Sequence, residues 1–436
     1  MLFAALSAVA PARAHAAGTP AHVPGEVVVR YGEHTTAAER ARVQRRAGVV
    51  VARDTGDRSR LLRIRDGAGV AATVRELRAD PAVAAAAPNA LAHASLWIPR
   101  DPGRSHRPGG WQSLQWNFDG AFGVNAPQAW NNLILGGHPG GRGVTVAVLD
   151  TGVAYANHGR FRRSPDFHSS HFVAPHDFVG RDRRPNDENG HGTHVAGTIG
   201  EATGNRIGVT GLAYGARIMP VRVLNKLGEG DSVTISEGIR YAVRHHANVI
   251  NLSFEFDAST TARDVPDLLS ALRYAHRKRV LVVGAAGNSA RTALAYPARG
   301  PYVLSVGATT QHGCAADYSN TGTHLDLVAP GGGPDADLPW DSRCHPEGPD
   351  GGDIYQMTFA GSVRRFRLPS GYYGTSMAAP HVSAAAALVI ASRVLGRHPS
   401  PAAIQRRLKN TARKGLGPTR YYGAGLLDAA AATSSG

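Results

Sequence analysis

The chain has 436 residues, 42% of them apolar and 19% charged, which excludes a disordered protein and leaves room for two or three domains around a large core. Its formal charge of +15 is carried by 44 Arg and only 4 Lys. These are spread along the whole chain with no aromatic-interleaved basic stripe, which argues against nucleic acid as a partner.

In chain order, residues 2–10 (LFAALSAVA) form a short apolar run, and AHA at 14–16 fits a small-residue cleavage pattern. Residues 1–16 therefore read as an export signal. No interior stretch reaches the roughly 18 apolar residues of a membrane span. Residues 25–95 then alternate as strand, helix, strand, strand, helix, strand: GEVVVRYG, TTAAERARVQRRAG, VVVAR, RLLRIRD, VAATVRELRAD and AVAAAAPN. That order is the one of a small ferredoxin-like domain. IPRDPGRSHRPGG at 98–110 is rich in Pro, Gly and Arg and reads as an exposed linker, so the small domain reads as a removable prosegment.

Beyond the linker, near-continuous Val/Ile/Leu runs mark strands buried on both faces, at 144–150, 219–225, 248–254, 280–287, 302–308 and 325–331. Helical patterns lie between and after them at 231–246, 267–278 and 376–395. The expected fold class is α/β, a three-layer α/β/α arrangement with a mainly parallel sheet, preceded by the small α+β domain. Chemistry is expected at the carboxyl ends of the strands. Cys314 and Cys344 stand 30 residues apart in polar, loop-like sequence, a candidate disulfide in an exported chain whose pairing the sequence leaves open.

Four polar side chains fall at strand or helix edges. Asp150 ends the first buried strand in VAVLDTGV, and His191 stands where an apolar helix begins in NDENGHGTHVAGTI. Asn288 follows another strand in VVGAAGNSA, and Ser376 opens a long helix in YGTSMAAPHV. These four motifs, together with TGNRIGVTGLAYGARIMPVRVL and YYGAGLLDAAAA, resemble those of the subtilisin-like serine proteases, and residues 25–95 resemble the inhibitory propeptide of that family. The resemblance divides the chain into a signal (1–16), a propeptide (22–95), a linker or mature N-terminal arm (96–115) and a catalytic domain (116–436).

It implies a secreted serine endopeptidase made as a self-processing zymogen. Ser376 would be the nucleophile, His191 the general base and Asp150 its orienting acid. Asn288 and the Ser376 N–H would form the oxyanion hole. No cofactor is expected for catalysis. The partners are polypeptide substrates and the chain's own propeptide, and the protein reads as a monomer. A catalytically inactive homologue that binds peptides is the alternative. An α/β-hydrolase esterase would need G-x-S-x-G and the order Ser, acid, His, which is absent. His191 and His194 form H-x-x-H but lack a third matched metal ligand.

Three further expectations rest on the resemblance. ATGNRIGVTG resembles a structural calcium loop, with side-chain oxygens from Asp166 and Asn205 and carbonyls from Thr203, Ile207 and Val209. The family's remaining ligand, near the mature N-terminus, has no identified counterpart in the sequence. Tyr296-Pro297 resembles the family's cis-proline turn. Ser253-Phe254-Glu255-Phe256 replaces the Ser-Leu-Gly-Gly against which substrate pairs, facing Ala285-Ala286-Gly287 across the P1 pocket. There, either Glu255 faces the pocket and selects Arg or Lys, or it turns to solvent and the phenylalanines narrow the cleft.

Overall fold

The computed structural model describes residues 22–56, 58–65, 67–90, 96–349, 351–359 and 361–435. The signal at 1–16 and Ser95, near which the resemblance places a processing site, lie outside them. The chain divides into two compact units, residues 1–95 and 96–436.

The first unit runs β1 (His22–Tyr31), α1 (Ala37–Arg46), β2 (Val49–Asp54), β3 (Ser59–Ile64), α2 (Val70–Arg78) and β4 (Val83–Ala90). Its antiparallel sheet has the order β2-β3-β1-β4, the ferredoxin-like topology read from the sequence. Alternation along β1 sends Val27, Val29 and Tyr31 into the core, where they meet Val43 of α1 and Val74 and Leu77 of α2. Thr36 caps α1 in a reciprocal box: its hydroxyl accepts the Glu39 N–H while the Glu39 carboxylate accepts the Thr36 N–H.

In the second unit a seven-stranded sheet is built from β5 (Thr145–Asp150), β6 (His176–Asp177), β7 (Arg217–Arg222), β8 (Val249–Leu252), β9 (Leu281–Ala285), β10 (Val303–Thr309) and β11 (Leu327–Pro330). Their order is β11-β10-β9-β8-β5-β7-β6, and every pair is parallel. Central β5 is buried at all six positions, and its side chains alternate between two cores. Val146 and Val148 enter the core lined by α4 (Ala126–Leu135), α5 (His191–Gly200) and α8 (Thr375–Ser392). Ala147 and Leu149 enter the core of α6 (Ser232–Arg244) and α7 (Pro266–Arg277). The three layers follow from that alternation. A short helix, α3 (Trp116–Asp119), precedes α4, and an unanticipated hairpin, β12 (Thr358–Phe359) with β13 (Phe366–Arg367), precedes α8.

Two readings need correction. Residues 98–110 are exposed only in part: residues 104–108 face solvent, but Asp101 is fully buried, and the Pro99 carbonyl accepts the indole N–H of buried Trp111 at 3.0 Å. Their Pro/Gly/Arg content reflects turns between anchor points rather than freedom. Nor is the interior without a helix long enough to span a bilayer. By length and composition α8 qualifies, with 18 residues of mean hydropathy 1.3, but 83% of it is buried as the core helix of this unit. Cys314 and Cys344 are joined in a disulfide, and the Tyr296–Pro297 peptide is cis.

Candidate active site

Asp150 is the last residue of β5 and fully buried, so its charge must be met by donors. Its Oδ1 accepts the Thr151 N–H at 2.8 Å and the Nδ1 of His191 at 2.7 Å. His191 is the first residue of α5, and its side chain remains 26% exposed beside the wholly buried carboxylate. The close approach of α5 to the end of β5 depends on Gly192, where a Cβ would stand 2.1 Å from the Gly152 carbonyl oxygen.

Asp187, not singled out in the sequence, builds the turn that carries His191. Its Oδ1 accepts the Thr151 hydroxyl and the N–H groups of Asn189 and Gly190, and its Oδ2 accepts the N–H and hydroxyl of Thr193. An Asp three residues before a Gly-His pair is a readable loop signal, but its partners on two elements are not. The Thr358 hydroxyl of the hairpin donates to the Gly190 carbonyl at 2.7 Å, steadying the same turn from the other side. Burial by itself lowers the His191 pKa. The Asp150 charge and hydrogen bond, with the charge of Asp187, outweigh it and leave the imidazole above its ordinary 6.5.

His194 takes no part in a metal pair. Its Nε2 donates to the Ile354 carbonyl at 2.8 Å and its ring stacks on Tyr372 at 4.2 Å. Burial pushes it down to about 3, so it stays neutral.

Ser376 is the second residue of α8, where the first-turn N–H groups have no helical acceptor. Its side chain is nearly buried, and among the described residues it donates no hydrogen bond to His191. Such bonds commonly tighten only around substrate. Asn288 follows β9, and its Oδ1 accepts both the N–H and the hydroxyl of Thr375 at 2.8 Å. Thr375 also accepts the Gly287 N–H at 3.1 Å. With Oδ1 occupied, Nδ2 is the polar atom left on the Asn288 amide. A Cβ on Gly374 would stand 3.6 Å from Ser376 N and 3.8 Å from Asn288 Nδ2, so both donors border one small space.

Ser253–Phe256 follows β8, beside Ala285–Gly287 at the end of neighbouring β9. Phe254 and Phe256, both partly buried, pack against the core of α6 and α7. Glu255 turns instead to the other wall, where its Oε1 accepts the Asn288 N–H at 2.9 Å.

Of the residues named for a calcium site, Thr203, Asn205, Ile207 and Val209 follow α5, and Asp166, from before it, meets that loop. Asp166 is fully buried; it accepts the Asn205 amide N–H at 2.7 Å and the Val209 N–H at 3.0 Å. Asn205 Oδ1 accepts the Ile207 N–H, so that oxygen faces its own loop. Buried Asp101, 103 residues before Gly204, accepts the N–H groups of Gly204, Asn205 and Arg206 at 2.6–3.1 Å. Among the described residues no group of three or more His, Cys, Asp or Glu is arranged to hold a metal ion.

A family model described as the subtilase family matches residues 141–425, and one described as the fervidolysin N-terminal prodomain matches residues 8–89. The chain is 33% identical over 408 residues to the thermophilic serine proteinase of Bacillus sp. (strain AK1), covering 94% of this chain and 87% of that one. It is 37% identical over 324 residues to subtilisin Savinase of Lederbergia lenta, covering 74% and 99%. Among solved structures it resembles a protease of Pseudoalteromonas arctica PAMC 21717, with a TM-score of 0.60 and 30% identity over 77% of this chain and 99% of that one. The subtilase-family match over residues 141–425, the prodomain match over residues 8–89 and relatives at 33–37% identity leave one conclusion: the chain belongs to the subtilase family and is a serine endopeptidase with an N-terminal prodomain.

Proposed function

We propose that this endopeptidase works through Asp150, His191 and Ser376 and is exported as a zymogen that cuts itself. The observation that carries the reading is the 2.7 Å contact between a reachable His191 and a fully buried Asp150. Asp150 accepts the Nδ1 proton, which fixes the tautomer and leaves Nε2 free as a base. His191 takes the Ser376 proton as Oγ attacks the scissile carbonyl, then gives it to the leaving amine. Negative charge gathers on the carbonyl oxygen, where Asn288 Nδ2 and the Ser376 N–H donate, helped by the positive end of the 18-residue α8.

Residues 22–95 act as an intramolecular inhibitor until cut, consistent with the prodomain match. The loop after α5 holds a structural calcium ion. In support, its donors are oxygens, as a hard cation requires, and Asp101, Asp166 and Glu201 are buried. Burial pushes all three carboxyl groups up, and among the described residues none has a Lys or Arg partner. Asp101, Asp166 and the carbonyls of Thr203, Ile207 and Val209 would hold the ion, and Asn205, whose Oδ1 faces its own loop, would join them by turning its amide over. The ion would supply countercharge and a link between the arm and the loop.

The test is expression of wild type and Ser376→Ala in a host lacking other proteases, followed by intact mass and labelling with a serine-directed phosphonate. Wild type should lose its prosegment and be labelled; the variant should keep its prosegment covalently attached. A variant that matures like wild type would overturn self-cleavage.

A further inference from the structure

Beside Asn288, the segment after β8 carries a charged side chain that the catalytic machinery does not need. Ser253 is pinned by the Asn251 amide at 2.8 Å, and the Phe256 N–H donates to the Tyr296 carbonyl at 2.8 Å. With both flanking phenylalanines packed against the core of α6 and α7, Glu255 turns the other way, across to Gly287 and Asn288. Its Oε2 lies 2.4 Å from where a Cβ on Gly287 would stand, so the carboxylate rests against a residue that leaves it room only as glycine. Oε1 accepts one N–H, and among the described residues no Arg, Lys or His pairs with Glu255. The result is a half-buried anion without a countercharge, bonded to the residue whose side chain borders the oxyanion space.

We propose that Glu255 determines P1 specificity and that the enzyme cuts after Arg or Lys. The proposal rests on the serine-endopeptidase reading and adds its substrate class. Two effects act together. A guanidinium or ammonium entering between the walls meets a carboxylate with an unused oxygen, Arg having the better fork for it. The same carboxylate opposes the negative charge that develops at Asn288 in the transition state, and a cationic P1 side chain cancels that opposition. Cationic substrates therefore gain in turnover as well as in binding, whereas neutral ones face an uncompensated anion.

The experiment compares matured wild type with Glu255→Gln on fluorogenic peptides that differ only at P1, as Arg, Lys, Leu, Phe or Ala. Wild type should favour Arg over Leu by about 10- to 100-fold in kcat/KM, the worth of one charge-assisted hydrogen bond. Glu255→Gln should remove most of that ratio while raising kcat for the Leu peptide, a crossing that a merely structural role would not give. Benzamidine should compete with substrate in wild type, a measurement that stands even if the variant fails to fold. Preference for Leu, Phe or Ala in wild type, no competition by benzamidine, or an unchanged ratio in Glu255→Gln would each overturn the proposal. Labelling by a serine-directed phosphonate separates the failures. An unlabelled protein defeats the endopeptidase mechanism, and a labelled one indifferent to P1 charge defeats this proposal alone.

Discussion

Replacing Thr375 by valine keeps the volume and removes one hydroxyl, which bonds Asn288 and Gly287. That hydroxyl is one of two donors to Asn288 Oδ1, each at 2.8 Å, and it accepts the buried Gly287 N–H at 3.1 Å. Two costs follow. The orphaned N–H should lower stability by about 1–3 kcal/mol. Loss of one of two bonds that aim the Asn288 amide is worth about 0.5–1.5 kcal/mol, which at 1.36 kcal/mol per decade is roughly a 2- to 13-fold fall in rate. Since the amide acts on charge that forms only in the transition state, the fall should appear in kcat with KM little changed. The assay is steady-state hydrolysis by the matured enzyme, with active sites titrated, for Thr375→Val, Asn288→Ala and the double variant. If Thr375 acts through Asn288, the double variant is no slower than Asn288→Ala alone. A double variant slower by the full Thr375→Val factor would refute the positioning role.

Because the base works neutral and His191 sits above its ordinary 6.5, kcat/KM should fall as pH drops through a value above 6.5. Asp187→Asn should move that limb to lower pH, and a wild-type limb below 6.5 would contradict the reasoning. Chelation should lower Tm, calcium at a hundred times its Kd contributing about 2.7 kcal/mol. Asp101→Ala should lower Tm and abolish the response to chelator, whereas a wild-type Tm indifferent to both chelator and added calcium removes the ion. Replacing Cys314 and Cys344 together by serine opens a link across 30 residues. The chain-entropy relation gives a loss of about 3–4 kcal/mol, read from the midpoint of denaturant unfolding.

What could be read from the sequence was local. β5 and β9 announce themselves as continuous apolar runs, and the chemistry follows each directly at Asp150 and Asn288. His191 and Ser376 are the first and second residues of helices with clear apolar patterns. What escaped depends on partners far along the chain. Asp101 gains its meaning only from the N–H groups of Gly204, Asn205 and Arg206, and a composition window over 98–110 sees turn residues and infers a free linker. Thr375 is a plain neighbour of the serine until the Asn288 amide, 87 residues earlier, is seen to lean on it. Alternation along Ser253–Phe256 separated Glu255 from its neighbours but could not say which side was the pocket. The bond to Asn288 shows which way Glu255 turns.

The helix that carries Ser376 is apolar on every side and buried along nearly all of its length. Such a helix has no face to offer water, so it persists only when the sheet and the surrounding helices close over it. The proposed nucleophile is thus mounted on the element that can least be built ahead of the rest. Unlike a serine on a surface loop, it cannot be displayed by a half-assembled molecule. A chain that dissolves peptide bonds gains from this a built-in order of events, in which cutting power arrives only with a finished interior.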